Sequence, residues 1–156
     1  MRPTVASLIA CVLLLVGADL AAQQRGGTGG TPGVIGGPED HAKLMKSNAQ
    51  ANGALNKAVG SGAYADARMQ IGTLRQNLTT LQSFWAERKR DDAVKILKGG
   101  LSQLDAIDKI LGAANVDQKA VQAAAMQFGG NTCGGCHKLY REGDNQTGFR
   151  FKPGVF

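Results

Sequence analysis

Three residues of this 156-residue chain have the types and spacing to do metal or redox chemistry: Cys133, Cys136 and His137, in the string Cys133-Gly-Gly-Cys136-His137. On an α-helix they stand at i, i+3 and i+4, so the spacing predicts that their side chains share one face. That arrangement suits covalent haem attachment. Two thiols add across the two vinyl groups of a porphyrin, and the adjacent imidazole ligates iron from one axial side. Gly134 and Gly135 carry no side chain to keep a flat ring away. The four glycines of GGNTCGGC weaken a helix by about 1 kcal/mol each relative to Ala. Two thioether links and an iron–nitrogen bond offset that locally.

Three other chemistries compete for the same residues. A zinc site needs a fourth ligand, and the chain has no second CxxC, leaving only His41 or a carboxylate. A thioredoxin-like CxxC follows a strand inside a βαβ pattern, which the sequence lacks. A disulfide between Cys133 and Cys136 closes too small a loop to stabilise much.

The elements that must position these residues read as helices. Pro38-Glu39-Asp40 is an acidic, Pro-led helix start. Leu44, Asn48, Ala51, Leu55 and Val59 follow at helical spacing, and Gly60-Ser-Gly62 stops the segment. A second stripe runs through Ala67, Ile71, Leu74, Leu78, Leu81 and Trp85, followed by the basic run Arg88-Lys-Arg90. Asp91-Asp92 opens a third segment with Val94, Leu97, Leu101, Leu104, Asp108 and Leu111, widened by Ile107 and Ile110. A fourth begins at Asp117 and carries Val121, Ala125, Phe128 and Thr132. Short connections between four such segments predict an all-α fold, an antiparallel up-down-up-down four-helix bundle. Apolar residues at 43% and aromatics at 5% suit packed helices better than a β-sandwich.

The N-terminus reads as an export signal, residues 1–22. Arg2 supplies a positive start, Val5 to Val16 is an apolar run of h-region length, and Ala18 to Ala22 offers small residues for cleavage. The run is short of the ~20 residues that span a bilayer, so no stable membrane anchor is expected. Cys11 departs with the signal, leaving Cys133 and Cys136 as the pair in an exported chain. Arg2 and Asp19 depart together, so the net charge stays +6. Residues 23–38 form a Gly-rich linker, 39–142 the helical domain and 143–156 a C-terminal extension. For that extension two outcomes stand open: disorder, or a fold-back of Phe149, Phe151 and Phe156 over the end of the helices.

Only 19 residues follow His137, and none is Met or His, so a second axial ligand must come from upstream. Here the chain resembles the class II c-type cytochromes, the family of cytochrome c-prime and its low-spin, Met-ligated relatives. The resemblance covers about Glu39 to Arg141, and its anchor is CGGCHKLYR on the last predicted helix. It implies one covalent haem c, with thioethers at Cys133 and Cys136 and His137 as the proximal iron ligand. It makes Met45, in HAKLMKSN, the distal ligand, with Met69 and Met126 poorer candidates. Leu44, roughly a 100° turn away, would face the iron only if the register shifted, giving the open site of cytochrome c-prime. Arg141 matches the family's H-x-x-x-R, whose Arg lies near the haem. His41 stands where cytochrome c-prime has an Arg that pairs with a haem propionate; it can hydrogen-bond that propionate or remain solvated. Phe84, Trp85 and Phe128 line the haem or the core.

The function implied is that of a periplasmic electron carrier without catalytic activity, with a high-spin binder of NO or CO as the alternative. Redox proteins are the expected partners; Arg88-Lys-Arg90 reads as a solvated turn, with docking of an acidic partner as the alternative. Nucleic acid is not among them, and the family allows a homodimer through the first two helices.

Overall fold

The structure, a computed structural model, describes residues 34–144 and 146–155. The expected export signal, most of the expected linker and Phe156 lie outside the described residues.

Helix α1 spans Pro38–Ser61, α2 Tyr64–Glu87, α3 Asp91–Leu111 and α4 Gln118–Phe128. A π-helical turn, Gly129–Gly134, joins α4 to a short α5, Gly135–Tyr140. Strands β1, Arg141–Asp144, and β2, Gly148–Phe151, close the described chain as an antiparallel hairpin. Pro38 opens α1 with Glu39 and Asp40 in its first turn, where carboxylates favour the helix N-terminus. Gly62 ends α1 at φ 76°, a left-handed position that glycine adopts without strain. At α4 the Asp117 side chain accepts a 3.0 Å hydrogen bond from the Ala120 N–H.

The four long helices pack in chain order: α1 on α2, α2 on α3, α3 on α4, and α4 back on α1. Cross-links between them run in opposite senses along each pair. Arg68 pairs with Asp108 at 2.8 Å and Arg75 with Asp105 at 2.8 Å, so α2 and α3 are antiparallel. Gln118 donates to the Gly60 carbonyl at 3.0 Å, and the Asn52 side chain lies against Gly129, so α1 and α4 are antiparallel too. Asp108, the polar member of the third stripe, therefore bridges two arginines rather than entering the core. The core comprises Leu55, Val59, Ala67, Ile71, Leu74, Leu104, Ile107, Val121, Ala125 and Phe128, with Trp85 at its end.

Three boundaries differ from the sequence reading. Ile35, inside the expected linker, is buried and joins the core, because it is a large apolar side chain in a Gly-rich stretch. The fourth helix is interrupted by the π turn, whose Gly129, Gly130 and Gly134 leave the backbone free to widen. The C-terminal segment folds back, and its hairpin begins at Arg141, inside the expected helical domain. Gly143, at φ 87°, lies so close to the Gly148 carbonyl that a Cβ there would collide with it. Asp144 closes the turn by accepting from the Gln146 and Thr147 N–H groups, both at 2.8 Å.

Candidate functional site

The Cys–His string falls on the junction of the π turn and α5: Cys133 belongs to the former, Cys136 and His137 to the latter. The wider π turn rotates Cys133 from where an unbroken α-helix would put it. All three residues are half-buried, and both thiols are free. Beside the string, Thr132 is buried against Gly100 of α3, and its hydroxyl donates to Gln103 Oε1 at 2.9 Å. Gly100 permits this approach: a Cβ there would come within 2.5 Å of Thr132 Cγ2. A groove lined by Lys95, Ile96, Gly99, Gln103, Asn131 and Thr132 runs alongside. Among the described residues no three His, Cys, Asp or Glu side chains come together to hold a metal ion.

Burial sets the protonation of the donors. It raises the Cys133 thiol, and together with Cys133 and Asp92 it pushes Cys136 up to about 11. It lowers His137, helped by the Arg141 charge. Near neutral pH both sulfurs are thiols and the imidazole is uncharged.

His41 is buried rather than solvated. Its ring sits 4.6 Å from Phe151, 5.4 Å from Phe84 and 6.1 Å from Trp85, centroid to centroid. Burial, then His137, then Arg88 lower it to about 4, so it too is neutral at pH 7. His41 lies near enough to His137 for the two to interact, so the first turns of α1 and α5 are neighbours. With Gln118 at Gly60 and Asn52 at Gly129, the antiparallel register, continued past Gly129, brings residues 44–48 opposite the Cys133–Cys136 stretch. Leu44 and Met45 are both half-buried there and packed on the core.

The remaining expected residues fall in different places. Phe128 is fully buried in the core, as are Phe84 and Trp85. Arg141 is exposed at the start of β1, its guanidinium 3.9 Å above the Phe149 ring. Met69 and Met126 are exposed. The basic run is tied to the fold in two of its three residues. Arg88 lies 3.7 Å over the Phe84 ring and donates to the Phe84 carbonyl, and Arg90 donates to the Gly154 carbonyl at 2.6 Å.

Asp92, Tyr140 and Asn48 were not expected at the site, whereas Phe151 takes the fold-back outcome. Phe151 covers His41 from the hairpin, which Lys152 anchors through its N–H to the Tyr140 carbonyl and its Nζ to the Lys138 carbonyl. Tyr140 is stacked on Trp85 at 4.6 Å. Its buried hydroxyl lies toward Asp92 and holds that carboxyl below its usual range, although the geometry falls short of a hydrogen bond. Burial and Asp92 push Tyr140 itself up to about 12. Asn48 is buried on α1 with an unpartnered Oδ1, and its signal was visible: a carboxamide at an apolar position of the stripe. No helix among the described residues is long and apolar enough to cross a membrane. Compared with protein-family models, curated proteins and solved structures, the chain matches none.

Proposed function

We propose that the chain is an exported c-type cytochrome of the class II kind, a four-helix bundle that holds one haem c covalently and carries one electron between redox partners. The observation that carries the reading is the donor set, two neutral thiols and a neutral imidazole within five residues, half-buried and opposite Met45 in the continued α1–α4 register. Addition across a vinyl group puts the thiol's sulfur on one carbon and its proton on the other, and a neutral imidazole is the form that offers a lone pair to iron. The residues fit the group on chemistry, and Gly135 leaves open space where a Cβ would stand.

When bound, haem supplies the one-electron change itself. Cys133 and Cys136 would hold the ring, and His137 and Met45 would ligate the iron. A thioether is a soft ligand that raises the potential. Buried Phe84 and Trp85 and half-buried Phe151, all beside His41, keep water from this end of the helices. The partners are redox proteins, and the net charge of +6 favours acidic ones.

Optical spectra of oxidised and reduced protein, with and without CO, test the assignment. Native protein is low-spin and binds CO slowly. Met45→Ala turns it high-spin, speeds CO binding and lowers the potential. A native high-spin spectrum, unchanged by Met45→Ala, would instead make this an open gas-binding site.

A further inference from the structure

We propose that the Asn48 carboxamide positions the Met45 thioether by donating an N–H hydrogen bond to its Sδ; the inference rests on the haem reading above. Among the described residues only two buried side-chain polar atoms lack a hydrogen-bond partner, Asn48 Oδ1 and the Tyr140 hydroxyl. The Tyr140 hydroxyl at least faces Asp92, whereas Asn48 is 8% exposed and nothing donates to its buried oxygen. A buried carboxamide without a partner is costly, and Leu would fill this stripe position without that cost. The group therefore calls for a partner on its own side of the helix.

Asn48 lies three residues beyond Met45, so the two side chains are neighbours on one face of α1. Met45 packs on the core and Asn48 is buried, and the α1–α4 register continued past Gly129 brings both opposite the Cys133–Cys136 stretch. Turning the amide by 180° exchanges its oxygen and nitrogen without altering its shape. The buried slot then holds an N–H donor, and a thioether sulfur is a weak acceptor. A hydrogen bond to a ligating sulfur draws electron density from it and favours the reduced iron. Outer partners of this kind orient a ligand and tune its metal. Asn48 is thus a positioning residue that acts through Met45.

The test is a double-mutant cycle in holoprotein, with covalent haem verified by mass in every sample. Asn48→Leu lowers the reduction potential, so that at a fixed ambient potential the reduced-to-oxidised ratio falls roughly two- to tenfold, the range of one hydrogen bond. Asn48→Ala does the same should Leu fold poorly. In a Met45→Ala background neither substitution shifts the potential. An unchanged potential with a raised melting temperature overturns the proposal, because Asn48 is then only an unsatisfied core residue. So does an equal shift in the Met45→Ala background, which points to a field effect without the sulfur. Absence of covalent haem is a separate result and overturns the haem reading itself.

Discussion

Between α2 and α3 the facing residues Ile71, Leu74, Leu104 and Ile107 are all apolar and no more than 1% exposed. Their polar links, Arg68 and Arg75 to Asp105 and Asp108, lie outside the core. Around the π turn and α5 the packing is of another kind. His41, Asn48 and Thr132 are buried, glycines widen the helix, and polar atoms go without partners. Asn77 of α2 also turns to α1, donating to Ser47 Oγ at 3.0 Å. One side of the molecule follows the rules that make helices stable, and the other breaks several of them around Cys133, Cys136 and His137. Departures from consistent packing concentrate where function is exercised.

That contrast can be broken from either side. The largest effect is expected in the regular half: Leu104→Ala costs about 2–5 kcal/mol through the cavity it leaves. Denaturant unfolding measures it, and the haem spectrum stays unchanged in the protein that remains folded.

On the irregular side, pH is the lever. His41 titrates near 6.5 when unfolded and at about 4 when folded, so between those values the unfolded chain binds more protons. Stability therefore rises with pH through this window and is fully present above it, by up to about 3 kcal/mol. Urea unfolding at pH 4.5 and 7 shows the slope. His41→Leu flattens it in part, since lowered His137 acts in the same direction. An undiminished slope in that variant would place the titration elsewhere.

A smaller effect separates two adjacent glycines of α3. Gly100→Ala drives a Cβ into Thr132 and costs about 1–3 kcal/mol. Gly99→Ala meets nothing within 4 Å and gains about 1 kcal/mol from helix propensity. Only the first disturbs the π turn, seen as altered amide exchange at residues 129–134.

The two halves also differ in how far they could be read from sequence. Helices α1 to α3 follow from local signals: Pro38 with Glu39 and Asp40, the Gly60–Gly62 stop, Asp91-Asp92 and the stripes between them. The π turn does not, because three glycines permit α and π hydrogen bonding almost equally and Thr132 on Gly100 is a contact across 32 residues. The hairpin strands are four residues each, too short for alternation to show, and Phe151 finds His41 only through the tertiary fold. At the site, the Cys–His string was legible because its chemistry is local. Asp92 beside Tyr140 was not, since those residues meet only once α3 packs on α5.

The central claim is covalent haem at Cys133 and Cys136, and mass spectrometry of denatured protein tests it most directly. The full chain, produced with its first 22 residues in a host that exports and matures c-type cytochromes, is extracted with acidified acetone and weighed. The account predicts that the haem mass stays with the chain, and that it is lost when both cysteines are replaced by Ala. Recovery of the bare chain with two free thiols from the same host would contradict it.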